Sequence, residues 1–330
     1  MPKLGLPVWK GGPTRRLSIL VALAPALFLV PSIVEKGYYI NLLGIIFMYT
    51  VLAQSWNIIS GYSGYWSFGH YMFFGIGAYT VGILVTKLSY NAYLATALGG
   101  IASFLAAVFL GLILLRIKGP YFSISSLVMA ESLKVIAVNE EWLTGGGNGL
   151  ILPPRYALRE FYYAILLTLL SVTVVAYAIK RSPMGYALFA IRDDETAAET
   201  YGINSTKYKI LAFAISASFA GIAGGCFAWF VTYIDPYSAF DSTLALLMIV
   251  SAVFGGIGTV MGPIIGGFVF TLLMEVLWAS FPYIYLIILG VSLVLVMRFI
   301  PNGIVERLGQ IGSSIRWIGA RRKGAEPSHL

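Results

Sequence analysis

Long apolar runs, almost free of charge, recur from one end of the chain to the other, and polar residues gather in the gaps between them. Runs at 17–34, 38–60, 71–88, 91–115, 120–138, 160–179, 210–232, 244–258, 264–281 and 283–299 predict about ten membrane-spanning helices. Crossing the hydrocarbon core takes about 20 helical residues, so the shorter runs predict tilted, broken or partly inserted segments. The expected fold class is an all-α polytopic membrane protein. Its parts are a tail at 1–16, a transmembrane domain at 17–300 with a polar loop at 180–209, and a second tail at 301–330.

Charge gives the spans an orientation. Only 11% of the 330 residues are charged and 58% are hydrophobic, against about 25% charged in a soluble domain. An even number of spans puts both termini on one side. If that side is cytosolic, seventeen lysines and arginines lie inside and four outside, with Lys134 within a span. This satisfies the positive-inside rule. The net charge of +8 is therefore a membrane feature, and nucleic-acid binding is not indicated, because the basic residues flank apolar spans instead of forming one face. Arg15 and Arg16 ahead of an apolar run resemble the start of a signal peptide. The run to Val34 is long for one and no small-residue cleavage site follows, so a retained first helix is expected. Two histidines and one cysteine leave too few ligands for most zinc or iron–sulfur sites and allow no intrachain disulfide.

The stretch GYSGYWSFGHYMFFGIGAY, Gly61 to Tyr79, holds Gly61, Gly64, Gly69, Gly75, Gly77 and eight aromatic rings. A phosphate loop is excluded here: the run has no lysine and joins two apolar spans, not a strand and a helix. It reads as a membrane element in which glycines permit a turn and close helix contact, while Trp66 and His70 face solute or neighbouring helices. Gly255, Gly256, Gly258, Gly262 and Gly266 form a second cluster, read as small-residue packing or as a break whose backbone lines a path. Polar residues inside spans are functional candidates by their cost. Gln54, Trp56 and Asn57 close the second span. Glu131 and Lys134, three apart on one helix face, lie in a helix that also carries Ser126, and they form either a structural ion pair or part of a path. Residues 139–159, with four glycines and two prolines, read as a flexible connection or a partner-facing outer surface.

The loop KRSPMGYALFAIRDDETAAETYGINSTKYK, 180–209, predicts a helix opening at Ser182–Pro183, continuing over 184–201 and stopping at Gly202 and Asn204. Its acidic DDE cluster argues against lying on an anionic inner leaflet and favours docking on a protein.

The phrase from Gly185 to Gly225, the stretch from Gly61, and GGIGTVMGPIIGG from Gly255 to Gly267 resemble, in order, motifs of branched-chain amino acid ABC transporter permeases of the LivM type. The resemblance implies the ten-helix fold of type II importer permeases, in a bacterial or archaeal inner membrane. It implies a non-catalytic subunit with no cofactor of its own, working with a related permease, two cytosolic ATPases that bind ATP and Mg, and an external solute-binding protein. The 185–202 segment is then the coupling helix, with Tyr186, Phe189, Arg192, Asp193, Asp194 and Glu195 facing an ATPase. No Gly-Lys dipeptide occurs, so the phosphate loop of such a machine is expected on another chain. Urea or short amides are alternative cargoes within the same family. An ion-coupled secondary transporter or a passive channel is the alternative class.

Overall fold

The second apolar run is hydrophobic on every side, and a helix of that kind has no face to show water. In the computed structural model it sits at the centre of the bundle. The structure describes residues 25–34, 36–154, 158–281 and five positions between 284 and 291. Helix α1 covers 25–33, and α2 follows as Gly37–Trp56. A π turn, Asn57–Gly61, continues α2 without a break. Helices α3 (Tyr71–Leu88), α4 (Ala92–Leu114) and α5 (Pro120–Asn139) come next. After a short connecting segment come α7 (Leu158–Arg181), then α8 (Pro183–Asp193), α9 (Glu195–Thr200) and the long α10 (Ser205–Val231). The described helices end with α11 (Pro236–Ala239), α12 (Thr243–Gly255) and α13 (Gly262–Ser280).

Among the described residues, seven helices are long and apolar enough to cross a membrane, and α13 contributes a shorter apolar helix. Eight of the expected spans thus have a helix in place. Helix α1 covers the described end of the first, whose start lies outside the described residues, as do twelve of the seventeen positions 283–299. The fold is that of an all-α polytopic membrane protein.

In lipid, helices gain little from apolar contact with one another, so small residues that admit close packing decide which helices meet. A Cβ on Gly77 of α3 would stand 2.0 Å from the Gly221 carbonyl oxygen of α10, and one on Gly224 would stand 2.0 Å from the Phe74 carbonyl. Ser103 of α4 donates to the Phe73 carbonyl at 3.0 Å, closing the α3–α4–α10 group. A second group forms around α2, which packs on α7, α12 and α13. There Gly44 faces the Phe161 ring and Gly267 faces Thr50. Helix α5 stands apart: 22% of its span is buried in the chain, against 78% for α2.

Two expectations are corrected. The 180–209 loop is not one helix over 184–201. Asp194 adopts an extended conformation (φ −159°, ψ 110°) and its side chain accepts from the Ala197 N–H, ending α8 and capping α9. The predicted start holds, with Ser182 capping and Pro183 in the first turn, and Gly202 takes φ +84° at the stop. Of the two readings of the 139–159 connection, the flexible link does not hold over 139–154. This part folds as helix α6 (Glu141–Thr144), a 3₁₀ turn, and strand β1 (Leu150–Ile151), which pairs antiparallel with β2 (Tyr233–Ile234). Gly145, Gly146 and Gly149 all have positive φ, which lets so short a segment turn repeatedly.

Candidate functional site

Helix direction alternates, so the connections 61–70, 115–119, 182–204 and 256–261 share one end of the bundle. At that end the two glycine clusters and the polar loop, separate in sequence, meet. Asn57, fully buried in the π turn, donates from Nδ2 to the Thr259 carbonyl at 2.8 Å. Its Oδ1 accepts from the Gly258 N–H, also at 2.8 Å. A Cβ on Gly61 would lie 2.0 Å from Asn57 Oδ1 and 2.9 Å from the Gly258 nitrogen, so only glycine lets the turn and loop touch. Gly256 (φ +127°) and Gly258 (φ +75°) bend the chain between α12 and α13. Gly255 and Gly262 are then in backbone contact, and Gly266 lies against Ser251.

Helix α8 is fastened beneath this junction. Arg192 Nη1 donates to the Gly61 carbonyl at 2.8 Å, and its stem lies over Gly64, whose φ of +76° turns the chain there. Lys180, at the end of α7, donates to the Gly258 carbonyl at 2.9 Å. The Phe189 ring tilts against Tyr62 at 5.4 Å between centroids. What α8 and α9 turn outward is different: Tyr186 is 69% exposed, Tyr201 88%, and Asp193 and Asp194 are exposed beside them. Glu195 turns inward. Its Oε1 pairs with Lys209 at 2.6 Å, and it accepts a short hydrogen bond from the Tyr65 hydroxyl. Burial alone raises the Glu195 carboxyl, but the hydrogen bonds from Lys209 and Tyr65 outweigh it and hold the group below the ordinary carboxylate range.

The aromatic motif is enclosed rather than spread along a membrane surface. Trp56 donates from Nε1 to the Ser67 carbonyl at 2.8 Å and meets Trp66 edge-on. Ser126 of α5 accepts from the Phe68 and Gly69 amides and donates to the Ser123 carbonyl, so its hydroxyl clamps the loop. A Cβ on Gly69 would stand 1.8 Å from the Ser126 carbonyl oxygen, and Gly75 lies against the Phe240 ring. His70 is fully buried between Phe73 and Phe213. The Ser55 hydroxyl gives its proton to the Ser216 carbonyl (2.7 Å), so it accepts from His70 Nε2 (3.0 Å). The imidazole is therefore the Nε2–H tautomer, and Nδ1 is an acceptor without a partner. Gln54 is also fully buried, and neither of its amide atoms is hydrogen-bonded.

Glu131 and Lys134 are ion-paired on α5, and Tyr71 donates to Glu131 Oε1 at 2.7 Å. Around them Ile124, Val128, Val135 and Ile136 are exposed, so no other part of the described chain covers this face. A charged pair on an outward, apolar transmembrane face is costly against lipid.

Sequence reasoning missed Lys209, Lys180, Tyr65 and Ser55. In sequence Lys209 and Lys180 read as flanking charges, and nothing in their spacing distinguishes a buried cation from a headgroup anchor.

Comparison with known proteins gives the chain a family. The family model described as "Branched-chain amino acid transport system / permease component" matches residues 38–297, which includes every contact at the junction. The chain belongs to this permease family. The permease is 30% identical to the high-affinity branched-chain amino acid transport system permease protein LivM of Salmonella typhimurium, over 92% of this chain and 78% of that one. It is 25% identical to LivH of the same organism over 78% of this chain and 91% of the relative. The autoinducer 2 import system permease protein LsrC of Yersinia pestis is 25% identical over 62% of the permease. No solved structure matches the permease.

Proposed function

We propose that the permease is one membrane subunit of an ATP-driven importer for branched-chain amino acids. The observation that carries the reading is the junction itself: an exposed polar element, α8–α9, whose Arg192 and Phe189 fasten it to the glycine-rich end of α2 and lie against Gly258 of the α12–α13 turn, which Lys180 of α7 also holds. A protein docked on that element can pull on both. Two cytosolic ATPases, carrying ATP and Mg, are the partners that fit, with Tyr186, Asp193 and Asp194 meeting them. The end carrying α8 is then cytosolic, as are both termini. Arg192 and Glu195 hold the element in place from behind.

A related permease of the LivH kind covers α5, and the solute path runs between the two subunits past Glu131 and Lys134. The uncovered charged pair supports this, because a path or partner removes its exposure to lipid. An external binding protein delivers the solute, which frees the permease from holding it tightly. The ion-coupled alternative is disfavoured: Glu131 is already bonded to Lys134 and Tyr71 and does not stand ready to bind a cation.

The test is affinity purification of the permease from its native membrane, with its neighbours identified. Co-purification of a second permease and of ATPases is expected. A permease that runs alone and moves solute without them contradicts the reading.

A further inference from the structure

Lys209 is the most deeply buried charge in the described structure, at 1% exposure, and it lies in the first turns of α10. A buried ammonium is costly unless its three N–H groups are all met. Here they are: Glu195 Oε1 accepts at 2.6 Å, the Tyr65 hydroxyl at 3.0 Å and the Leu115 carbonyl at 3.2 Å. Each partner comes from a different connection at the α8 end: α9, the 61–70 loop and the end of α4. Tyr65 closes the set by donating its own proton to Glu195.

Glu195 is the first residue of α9, directly after the Asp194 break. Besides this pair, α9 is held by Ala198, its one buried residue, and by Ser205 at the start of α10, whose hydroxyl donates to Glu199; Thr196, Ala197 and Thr200 face outward. Arg192, two residues before the break, ties α8 to the α2 group through Gly61. Glu195, one residue after it, ties α9 to Lys209 of α10 and, through it, to α4. The break therefore falls where the chain passes from one helix group to the other.

We propose that the Glu195–Lys209 pair, closed by Tyr65, is a positioning latch that couples the exposed α8–α9 surface to the α3–α4–α10 group, separately from the Arg192 tie to the α2 group. The latch rests on the importer reading for its role in coupling, but its effect on α9 does not. A partner's thrust on α8–α9 reaches both helix groups only while both ties hold. Without the carboxylate, α9 keeps only Ala198 and the Ser205–Glu199 bond, and the thrust reaches the α3–α4–α10 group more weakly than the α2 group.

Two measurements test the latch. In the first, the purified permease alone carries Thr196→Cys labelled with a nitroxide; Cys226 is buried and stays unlabelled. Glu195→Ala is expected to raise the mobile fraction of the label and Glu195→Asp to keep it near the parent's. An unchanged spectrum in Glu195→Ala overturns the latch, whatever the transporter does. In the second, the complex with its co-purified partners is reconstituted in vesicles. Glu195→Ala is expected to assemble in parental yield and to lose about fivefold or more of its solute-stimulated ATP hydrolysis, the scale of a typical coupling energy. Glu195→Asp, which keeps the charge, is expected to recover most of it. A smaller loss, a failure to assemble, or an Asp variant as impaired as the Ala variant overturns the coupling role. Absence of any solute-stimulated hydrolysis in the parent sinks the importer reading instead, and leaves the label experiment to decide the latch.

Discussion

Replacing Asn57 by alanine attacks the joint between the two glycine clusters. The side chain spends its donor on the Thr259 carbonyl and its acceptor on the Gly258 N–H, both at 2.8 Å, and is fully buried. Alanine leaves the buried Gly258 N–H and the partly buried Thr259 carbonyl with no partner. Each buried polar group left unmet costs about 1–3 kcal/mol. Partial exposure of Thr259 puts the sum at about 2–4 kcal/mol, a large share of the ~5–15 kcal/mol by which proteins are stable. Asn139→Ala is the matched control. It too removes an asparagine-to-backbone hydrogen bond, to Val135 at 2.7 Å, but on an exposed helix end, where substitutions stay within about 0.5 kcal/mol. The assay is reversible unfolding of the purified permease in mixed micelles, read by circular dichroism. Equal stability of the Asn57→Ala and Asn139→Ala variants would falsify the joint.

Gly77→Ala places a Cβ 2.0 Å from the Gly221 carbonyl oxygen, so α3 and α10 must part by about 1 Å at a cost of about 1–3 kcal/mol, while Gly147→Ala, with nothing within 4 Å, is expected to be silent in the same assay. The acid dependence of α9 follows from Glu195, whose carboxyl is held below its ordinary 4.5. A lowered folded value means the stabilisation is full above the unfolded pKa and is lost as pH falls through the folded one. A fluorophore at Thr196→Cys is expected to report a seated α9 at neutral pH and its release only below pH 4.5, and Glu195→Gln is expected to abolish that acid step. In a double-mutant cycle, Glu131→Gln and Lys134→Met are expected to couple by about 0.5–1 kcal/mol, reflecting their partial exposure, and additivity of the two changes sinks the pair.

The spans were legible because lipid imposes one rule on every crossing segment, and a run of apolar residues reveals it without knowledge of neighbours. Local chemistry was legible for the same reason: Ser182 before Pro183 starts α8, and Gly202 ends α9. What stayed hidden depends on partners far along the chain. The run Asp193–Asp194–Glu195 reads as one acidic patch, yet its members are an exposed surface residue, a helix cap and half of a buried ion pair. Nothing local separates them, because Lys209 is fourteen residues away and Tyr65 is 130 residues away from Glu195. In sequence Ser126 stands out only for its polarity within a span. Its hydroxyl is used instead by two amides of the 61–70 loop, a demand that only the folded chain creates.

The central claim is that this membrane chain moves branched-chain amino acids only when a separate ATPase drives it. Its most direct test is uptake of radiolabelled leucine into vesicles holding the permease with its co-purified partners, with the solute-binding protein added outside. Uptake is expected to require ATP and Mg on the ATPase side and to be competed by isoleucine and valine but not by urea. Uptake that persists without ATP, or that follows a proton gradient instead, contradicts the account.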